Sequence, residues 1–158
     1  MNKHSDIEYI TDIVRKYSDM IIRIAFGYTR NSFDAEDIAQ SVFLSLLNAQ
    51  DFHEEKHLKS WLIRVTINKA KDLIKSASRK RTLSLEAAKN CFAPEPNQVQ
   101  VELDKLDEKD RTILYLFYFE GYKAKEIGNM LKLKEKAVLM RLNRARAKLK
   151  NLLEETNS

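Results

Sequence analysis

Basic side chains recur at helical spacing near the carboxyl end of the sequence, and this pattern suggests binding to an anionic ligand. Residues 121–150 hold ten basic and two acidic side chains. The apolar pattern predicts a helix at Lys125–Leu131, a turn at Lys132–Lys134 and a longer helix from Glu135 to Leu149. This is the helix-turn-helix pattern, in which a helix enters the major groove of DNA and basic side chains neutralise phosphates. The exposed faces of the longer helix would carry Arg141, Arg144, Arg146, Lys148 and Lys150.

A second basic surface is predicted in the middle of the chain, where residues 56–81 hold nine basic side chains and one acidic side chain. The pattern predicts a helix from Leu58 or Ser60 to about Ala77, followed by the basic cluster 79–81. One stripe of this helix is apolar and a different one is polar. The apolar stripe is Ile63, Ile67, Ala70 and Ile74; the polar one is Arg64, Asn68, Lys71 and Lys75.

The two basic segments alternate with acidic ones. Residues 1–55 hold five basic and ten acidic side chains, and residues 82–120 hold four basic and eight acidic ones. Two separated basic surfaces indicate two contacts with a polyanion. Two solvated lysine-rich helices are the alternative interpretation.

Residues for catalysis or metal binding are not evident. The sequence has no glycine-rich phosphate loop, no Ser-His-Asp arrangement and no spaced metal ligands. The three histidines lack a cysteine cluster, and the single Cys91 cannot form an internal disulfide. We therefore expect no enzymatic activity, no cofactor, no bound metal and a reducing cytoplasm. Residues 1–12 lack the apolar core of a signal peptide, and no apolar run approaches the roughly 20 residues that span a bilayer, so we expect no membrane insertion.

The elements that position these residues are predicted to be helices, because the chain has only 3 Gly and 2 Pro. A first helix contains Tyr17–Tyr28, and Asp34 is predicted to cap a second one. Residues 82–98 contain both prolines and are predicted to be an interdomain linker, with a short helix near Leu83–Lys89. The remainder is predicted to form helices at Val99–Leu106, Asp110–Phe119, Lys123–Leu131 and Lys134–Leu153.

Three segments resemble the extracytoplasmic-function (ECF) subfamily of sigma-70 family RNA polymerase sigma factors. Leu106–Leu114, Tyr118–Tyr122 and the later residues up to Arg146 resemble its domain 4. Asp34–Leu44 resembles the domain 2 segment that docks on the polymerase clamp, and Trp61–Asp72 resembles the segment that melts and reads the −10 element. The resemblance implies an all-α chain with domain 2 at residues 5–81, a linker at 82–98 and domain 4 at 99–155.

The resemblance also implies binding residues and partners. The partners would be bacterial core RNA polymerase, promoter DNA and an anti-sigma factor. The polymerase contacts would be Asp34, Glu36, Asp37, Gln40, Phe43 and Leu44. The −10 contacts would be Phe52, His53, Lys56, Trp61, Asn68, Lys71, Lys75, Arg79 and Arg81. The −35 contacts would be Lys134, Lys136, Ala137, Met140, Arg141 and Arg144.

The sequence departs from the family pattern at three places. Ser41 stands where an acid is usual, and Lys132 stands where the turn usually has a glycine that relieves a left-handed backbone. Leu139 and Met140 replace a Lys-Ser pair in the recognition helix. Either the −35 sequence differs, or these two apolar side chains pack against a partner protein.

Several residues keep two interpretations. Trp61 fits a buried core position or a wedge for an unpaired base, and Phe52 and His53 fit a base-capturing loop or a plain surface loop. The acids of residues 34–37 suit both a helix start and a polymerase contact. For the chain as a whole, the alternative function is a stand-alone helix-turn-helix regulator with an unrelated amino-terminal domain. Such a regulator has no need of the clamp-type segment at 34–44.

Overall fold

The computed structural model describes residues 7–49, 51–79 and 105–157, with backbone alone for 77–79 and 156–157. The chain divides into two compact units, Met1–Ala93 (unit 1) and Pro94–Ser158 (unit 2). The described part of unit 1 forms α1 (Ile7–Thr29), α2 (Ser32–Leu47) and α3 (Glu55–Arg79). That of unit 2 forms α4 (Glu108–Tyr118), α5 (Ala124–Leu131) and α6 (Glu135–Asn157). The all-α prediction is confirmed. The predicted linker at 82–98, with its helix at Leu83–Lys89, and the helix at Val99–Leu106 up to residue 104 lie outside the described residues.

The core of unit 1 lies where α1 packs against both α2 and α3. Its fully buried side chains include Ile21, Ala25, Val42, Leu46, Ile63, Ile67 and Ala70. They recur at three- and four-residue intervals within each helix, which places them on one stripe per helix. The predicted stripe of α3 is confirmed at Ile63, Ile67 and Ala70, whereas Ile74 is half-buried.

The corner between α1 and α2 takes two residues. Arg30 adopts a left-handed backbone with φ of 55°, and Asn31 is extended. The Asn31 Oδ1 accepts a hydrogen bond of 3.0 Å from the Asp34 N–H, which makes Asn31 the N-cap of α2. The prediction that Asp34 caps this helix is therefore wrong. Asp34 lies in the first turn, where its charge suits the positive end of the helix dipole.

The start of α3 lies at Glu55, three residues before the earliest predicted start. Its first turn is charged and carries no apolar periodicity, so the sequence pattern does not reveal it. Glu55 ties this turn to α1, because its Oε1 accepts a 2.9 Å hydrogen bond from the Tyr17 hydroxyl and pairs with the Lys16 ammonium. The two hydrogen bonds lower the pKa of the Glu55 carboxyl.

The core of unit 2 lies between α6 and the two shorter helices. Its fully buried side chains are Ile113, Leu116, Ile127, Val138 and Leu142. Leu133, in the turn between α5 and α6, is half-buried. The helix α4 begins at Asp107, whose side chain accepts a 2.8 Å hydrogen bond from the Asp110 N–H.

The turn between α5 and α6 depends on a close backbone approach. Lys132 ends α5 in the left-handed region with φ of 59°, and the Leu133 N–H donates to the Gly128 carbonyl at 2.8 Å. A Cβ on Gly128 would lie 2.5 Å from the Leu133 carbonyl oxygen. Gly128 is therefore needed because the backbone of the turn approaches it closely.

Candidate functional site

One face of α2 presents polar and apolar side chains to solvent. Phe33, Asp37, Gln40, Leu44 and Leu47 are all exposed, and their spacing of four and three residues places them in one line, the α2 stripe. Leu44 is 62% exposed and Phe33 58% exposed. Exposed apolar side chains bordered by polar ones are typical of a protein-binding surface.

The other predicted polymerase contacts lie around this stripe. Glu36 is exposed, and Asp34 and Phe43 are half-buried. Burial and the nearby charge of Asp37 raise the pKa of the Asp34 carboxyl. The opposite side of α2 faces the core of unit 1 through Ala35, Ile38, Ala39, Val42 and Leu46, so the core and the α2 stripe use different faces of the helix.

The polar face of α3 is separate from its buried stripe, as predicted. Arg64, Asn68 and Lys75 are exposed, and Lys71 is half-buried. These side chains provide positive charge and an amide along one face of a helix, which suits contacts with phosphates and base edges. Arg79 ends the helix, and the position of its side chain, like the whole of Arg81, lies outside the described residues.

An aromatic pair lies at the amino-terminal end of α3. The rings of Phe52 and Trp61 are 5.6 Å apart between centroids and tilted by 55°. Both side chains are half-buried, whereas Leu58 and Leu62 occupy the adjacent core positions. The interpretation of Trp61 as a fully buried core residue is therefore wrong.

The loop before α3 places polar side chains near this pair in the sequence. His53 and Lys56 are exposed, and the Lys56 ammonium lies 3.4 Å from the Glu54 carboxylate. Two half-buried rings next to exposed polar side chains can stack on an unpaired base.

The outward face of α6 carries most of the predicted −35 contacts. Lys136, Met140 and Arg144 are exposed on α6, Ala137 is half-buried, and Lys134 is exposed in the turn just before the helix. Val138, Leu142 and Ala145 are buried on the opposite face. The structure therefore brings the predicted polar residues together on the side of the helix that can approach a ligand.

Arg141 differs from its neighbours on α6. Its side chain is half-buried, and its Nη1 lies 3.1 Å from Oδ1 of Asp110 at the start of α4. The sequence predicts that Arg141 and Arg144 share an exposed face, but only Arg144 is exposed. A guanidinium that is engaged with a buried carboxylate has fewer donors left for a base.

One residue of the outward face, Asn143, was not predicted from the sequence. Asn143 is exposed, and its Oδ1 accepts a 3.1 Å hydrogen bond from the Arg146 guanidinium. The Arg146 guanidinium in turn lies 5.9 Å from the ring centroids of both Phe117 and Tyr118. Spacing alone could have placed Asn143 here, because it follows Lys136 by seven residues and Met140 by three.

The described part of the chain holds neither a metal-ligand cluster nor a membrane-spanning helix. Residues 7–49, 51–79 and 105–157 contain no group of three or more His, Cys, Asp or Glu side chains that could hold a metal ion. Among the described helices, none has the length and apolarity that crossing a membrane requires.

Two family models match the chain. Sigma-70 region 2 matches residues 13–80, which contain the α2 stripe and the polar face of α3. Sigma-70, region 4 matches residues 97–149, which contain α4, α5 and the amino-terminal part of α6. The region 2 match does not support the alternative of a stand-alone regulator with an unrelated amino-terminal domain.

Characterised relatives agree with both matches. The ECF RNA polymerase sigma factor SigW of Bacillus subtilis is 28% identical over 97% of this chain and 93% of its own length. SigE of Mycolicibacterium smegmatis, also an ECF RNA polymerase sigma factor, is 28% identical over 93% of this chain. A probable RNA polymerase sigma factor of Xanthomonas campestris, RfaY, is 34% identical over 89% of this chain. The chain spans 39% of the length of RfaY and 62% of that of SigE.

A solved structure shows the same fold. The structure of CnrH in complex with the cytosolic domain of CnrY matches 97% of this chain and 92% of the other, with a TM-score of 0.69 and 27% identity. CnrH of Cupriavidus metallidurans is named as an RNA polymerase sigma factor. Sigma-70 region 2 is followed by region 4, and the two matches together cover most of the sequence. The chain therefore belongs to the extracytoplasmic-function subfamily of sigma-70 family RNA polymerase sigma factors.

Proposed function

We propose that this chain binds bacterial core RNA polymerase in the cytoplasm and directs promoter recognition, DNA melting and the start of transcription. The observation that carries the proposal is that one chain contains both sigma regions, each with an exposed face suited to a different ligand. The chain would supply no catalytic group, because the polymerase performs the chemistry.

The α2 stripe is the proposed polymerase contact. Its acid and amide, Asp37 and Gln40, lie between exposed apolar side chains, which combines hydrogen bonding with apolar burial in one strip. The exposed carboxylate of Glu36 and the half-buried Asp34 and Phe43 lie beside it. The opposite side of α2 is apolar and packs into the core of unit 1, so it takes no part in this proposed contact.

The polar face of α3 and the Phe52–Trp61 pair are the proposed contacts with the −10 element. Lysine and arginine side chains would hold the strand backbone through its phosphates. The aromatic pair would receive a base that has left the stack, because a ring face stacks on any base. His53 and Lys56 are exposed next to the pair and would contact the same strand.

The outward face of α6 is the proposed contact with the −35 element. Arg144, Lys134 and Lys136 are exposed and would position the helix through phosphates and base edges. Ala137 and Arg141 are half-buried and would lie at the margin of this contact.

An anti-sigma factor is the proposed regulatory partner. CnrH was solved in complex with the cytosolic domain of CnrY, and RpoE of Bartonella quintana, 20% identical, was solved with the anti-sigma factor NepR. The CnrH complex, at 27% identity, supports a protein partner for this chain, and RpoE shares the fold. A pull-down with the purified chain from its own host, followed by transcription assays with the captured protein added back, tests this partner.

Transcription in vitro tests the proposed function. Core RNA polymerase from a bacterium, the purified chain and a genomic DNA pool should give promoter-specific starts that depend on the chain. The chain without polymerase should bind duplex promoter DNA only weakly. Specific binding at about 10⁻⁸ M or tighter without polymerase is typical of dedicated regulators and would contradict the proposal.

A further inference from the structure

The outward face of α6 has an unusual composition for a helix in a basic segment. Lys136, Met140 and Asn143 lie at spacings of four and three residues and are all exposed. Met140 is 66% exposed, and Leu139 beside it is 42% exposed. This face therefore offers one cation, a large apolar group and an amide in a single line.

The exposed apolar side chains of this face lie among exposed cations. Met140 lies between two exposed cations, Lys136 and Arg144, at spacings of four residues on either side. A ligand that carries anionic groups on either side of an apolar group would match this arrangement, because the anions would pair with the two cations and the apolar group would contact Met140. In duplex DNA that group is the C5-methyl of thymine, which projects into the major groove.

The amide of Asn143 is held in place by its surroundings. Its Oδ1 accepts from the Arg146 guanidinium at 3.1 Å, and that guanidinium lies 5.9 Å from the ring centroids of Phe117 and Tyr118 on α4. A carbonyl oxygen has two lone pairs, so the Asn143 Oδ1 can still accept a second hydrogen bond while its Nδ2 donates. This arrangement matches N6 and N7 of adenine.

We propose that α6 reads A·T base pairs in the −35 element through Met140 and Asn143. Met140 contacts a thymine methyl, Asn143 forms two hydrogen bonds with an adenine, and Arg146 is a positioning residue that orients the amide. Leu139 extends the apolar contact at the edge of the face. This proposal rests on the proposed function, since it requires that α6 enters the major groove of promoter DNA.

Base analogues test the proposal one atom group at a time. The full chain and core polymerase first select a −35 element from a promoter library that is randomised there. Each selected thymine is then replaced by deoxyuridine, which removes only the methyl, and each adenine by 7-deazadeoxyadenosine, which removes only N7. At one thymine we expect open-complex formation to fall about fourfold, the equivalent of one buried methyl group. At one adenine we expect a loss of about fivefold or more.

Variants of the chain assign each effect to its residue. Met140→Ala should abolish the sensitivity to deoxyuridine, and the apolar variant Met140→Leu should keep it. Asn143→Ala should abolish the sensitivity to 7-deazadeoxyadenosine, and Arg146→Ala should weaken it. Asn151→Ala is the matched control, because Asn151 is exposed on the same helix, about 12 Å further from its amino-terminal end, and should leave both sensitivities unchanged.

Each failure has a different meaning. If the library gives no chain-dependent starts, the proposed function itself is wrong. If starts occur and no thymine methyl matters, or if Met140→Ala keeps the full methyl effect, then only the assignment of Met140 is overturned. If Met140→Ala instead weakens assembly of the chain with core polymerase, the apolar face contacts protein, and the proposal is overturned in favour of a protein partner.

Discussion

The ion pair between Arg141 and Asp110 joins the recognition helix to the start of α4. Asp110 is only 7% exposed, and the Arg141 guanidinium is the cation that contacts its carboxylate. A buried carboxylate that loses its partner keeps the cost of leaving water. Part of that cost is offset because Asp110 lies in the first turn of α4, where the helix dipole favours an anion.

Arg141→Ala should therefore lower the free energy of unfolding of unit 2 by about 1–3 kcal/mol. The measurement is urea unfolding of the full chain, with Arg144→Ala as the matched control because Arg144 is exposed on the same helix. The control should stay within about 0.5 kcal/mol of the parent protein. Equal stability of both variants would show that the Asp110 contact does not contribute in solution.

Single side chains show clearly where sequence reasoning succeeds and where it stops. The family resemblance named Lys136, Met140 and Arg144 as −35 contacts, and all three side chains are exposed. It could not reveal that Arg141 turns towards Asp110, because the two residues are 31 positions apart and their contact depends on helix packing. The sequence left Trp61 with two interpretations for the same reason: helix packing buries Leu62 fully and leaves the neighbouring ring of Trp61 half-buried.

Among the helices, the end of α5 has a backbone that its residue type does not favour. Lys132 has φ of 59° and ψ of 43°, a left-handed conformation in which a Cβ crowds the following carbonyl. Glycine avoids this contact. The Lys132 and Leu133 N–H groups both donate to the Gly128 carbonyl oxygen, and these hydrogen bonds stabilise the end of the helix.

Lys132→Gly should raise the free energy of unfolding of unit 2 by about 1 kcal/mol. Lys148→Gly, a matched change at an exposed position inside α6, should lower it by a similar amount, because glycine is a poor helix former. Thermal or urea unfolding gives both values. A decrease with Lys132→Gly would mean that the turn does not have a left-handed residue in solution.

The bond between α1 and α3 predicts a dependence on pH. The hydrogen bonds from Lys16 and Tyr17 lower the pKa of Glu55 from its ordinary value of 4.5. A carboxyl with a lowered folded-state pKa stabilises the fold above its unfolded-state pKa, and the stabilisation is lost as the pH falls through the folded-state value. Stability of unit 1 should therefore decrease on acidification from about pH 5, and Glu55→Gln should reduce this dependence.

The control for that pH series is Glu36→Gln, an equal charge change on the exposed side of α2. Unfolding is followed by circular dichroism between pH 3 and pH 7, and the slopes of stability against pH are compared. An unchanged slope in Glu55→Gln would show that this carboxyl does not link the two helices in solution.

The α2 stripe predicts a loss of polymerase binding without a loss of fold. Replacing both Asp37 and Gln40 by alanine should weaken binding to core polymerase, because both side chains are exposed and three positions apart on one face. Asp19→Ala on α1 is the control for the loss of an exposed acid. Binding affinity and circular dichroism are measured on the same samples. Unchanged affinity, or a reduced helix signal, would contradict the assignment.

Helices were easier to predict from the sequence than their ends. The apolar stripes of α3 and α6 were found because buried positions recur every three or four residues. The ends of helices were predicted wrongly where a hydrogen bond from or to a polar side chain sets the first residue of the helix. Asn31 caps α2 through a bond to a backbone N–H, and Glu55 starts α3 through partners on α1, neither of which leaves a periodic signal.

For the chain as a whole, the two basic surfaces should act on different parts of a promoter. Arg144→Ala on α6 should reduce transcription from a promoter that keeps its −35 element, by about 1–3 kcal/mol if the arginine reads a base. The same variant should have little effect on a premelted template that carries only the −10 bubble. Asn68→Ala and Lys75→Ala on α3 should impair transcription from both templates.

The measurement is the yield of abortive transcripts on the two templates at several salt concentrations. The loss caused by Lys75→Ala should shrink as salt rises, because a phosphate contact acts through the release of counterions. Nearly silent substitutions on every template would instead favour two solvated basic helices. The charge alternation in the sequence predicted which helices are basic, and the structure shows that Lys75 and Arg144 are exposed on them.

The separation of faces on α6 has a consequence for how such a protein can diversify. Val138, Leu142 and Ala145 secure the helix from one side, while Lys136, Met140 and Asn143 occupy the other. Substitutions on the outward side leave the packing that holds the helix untouched. Gene duplicates of this chain can thus drift to new target sequences without passing through unfolded intermediates, and a library randomised at those three outward positions should yield mostly folded proteins.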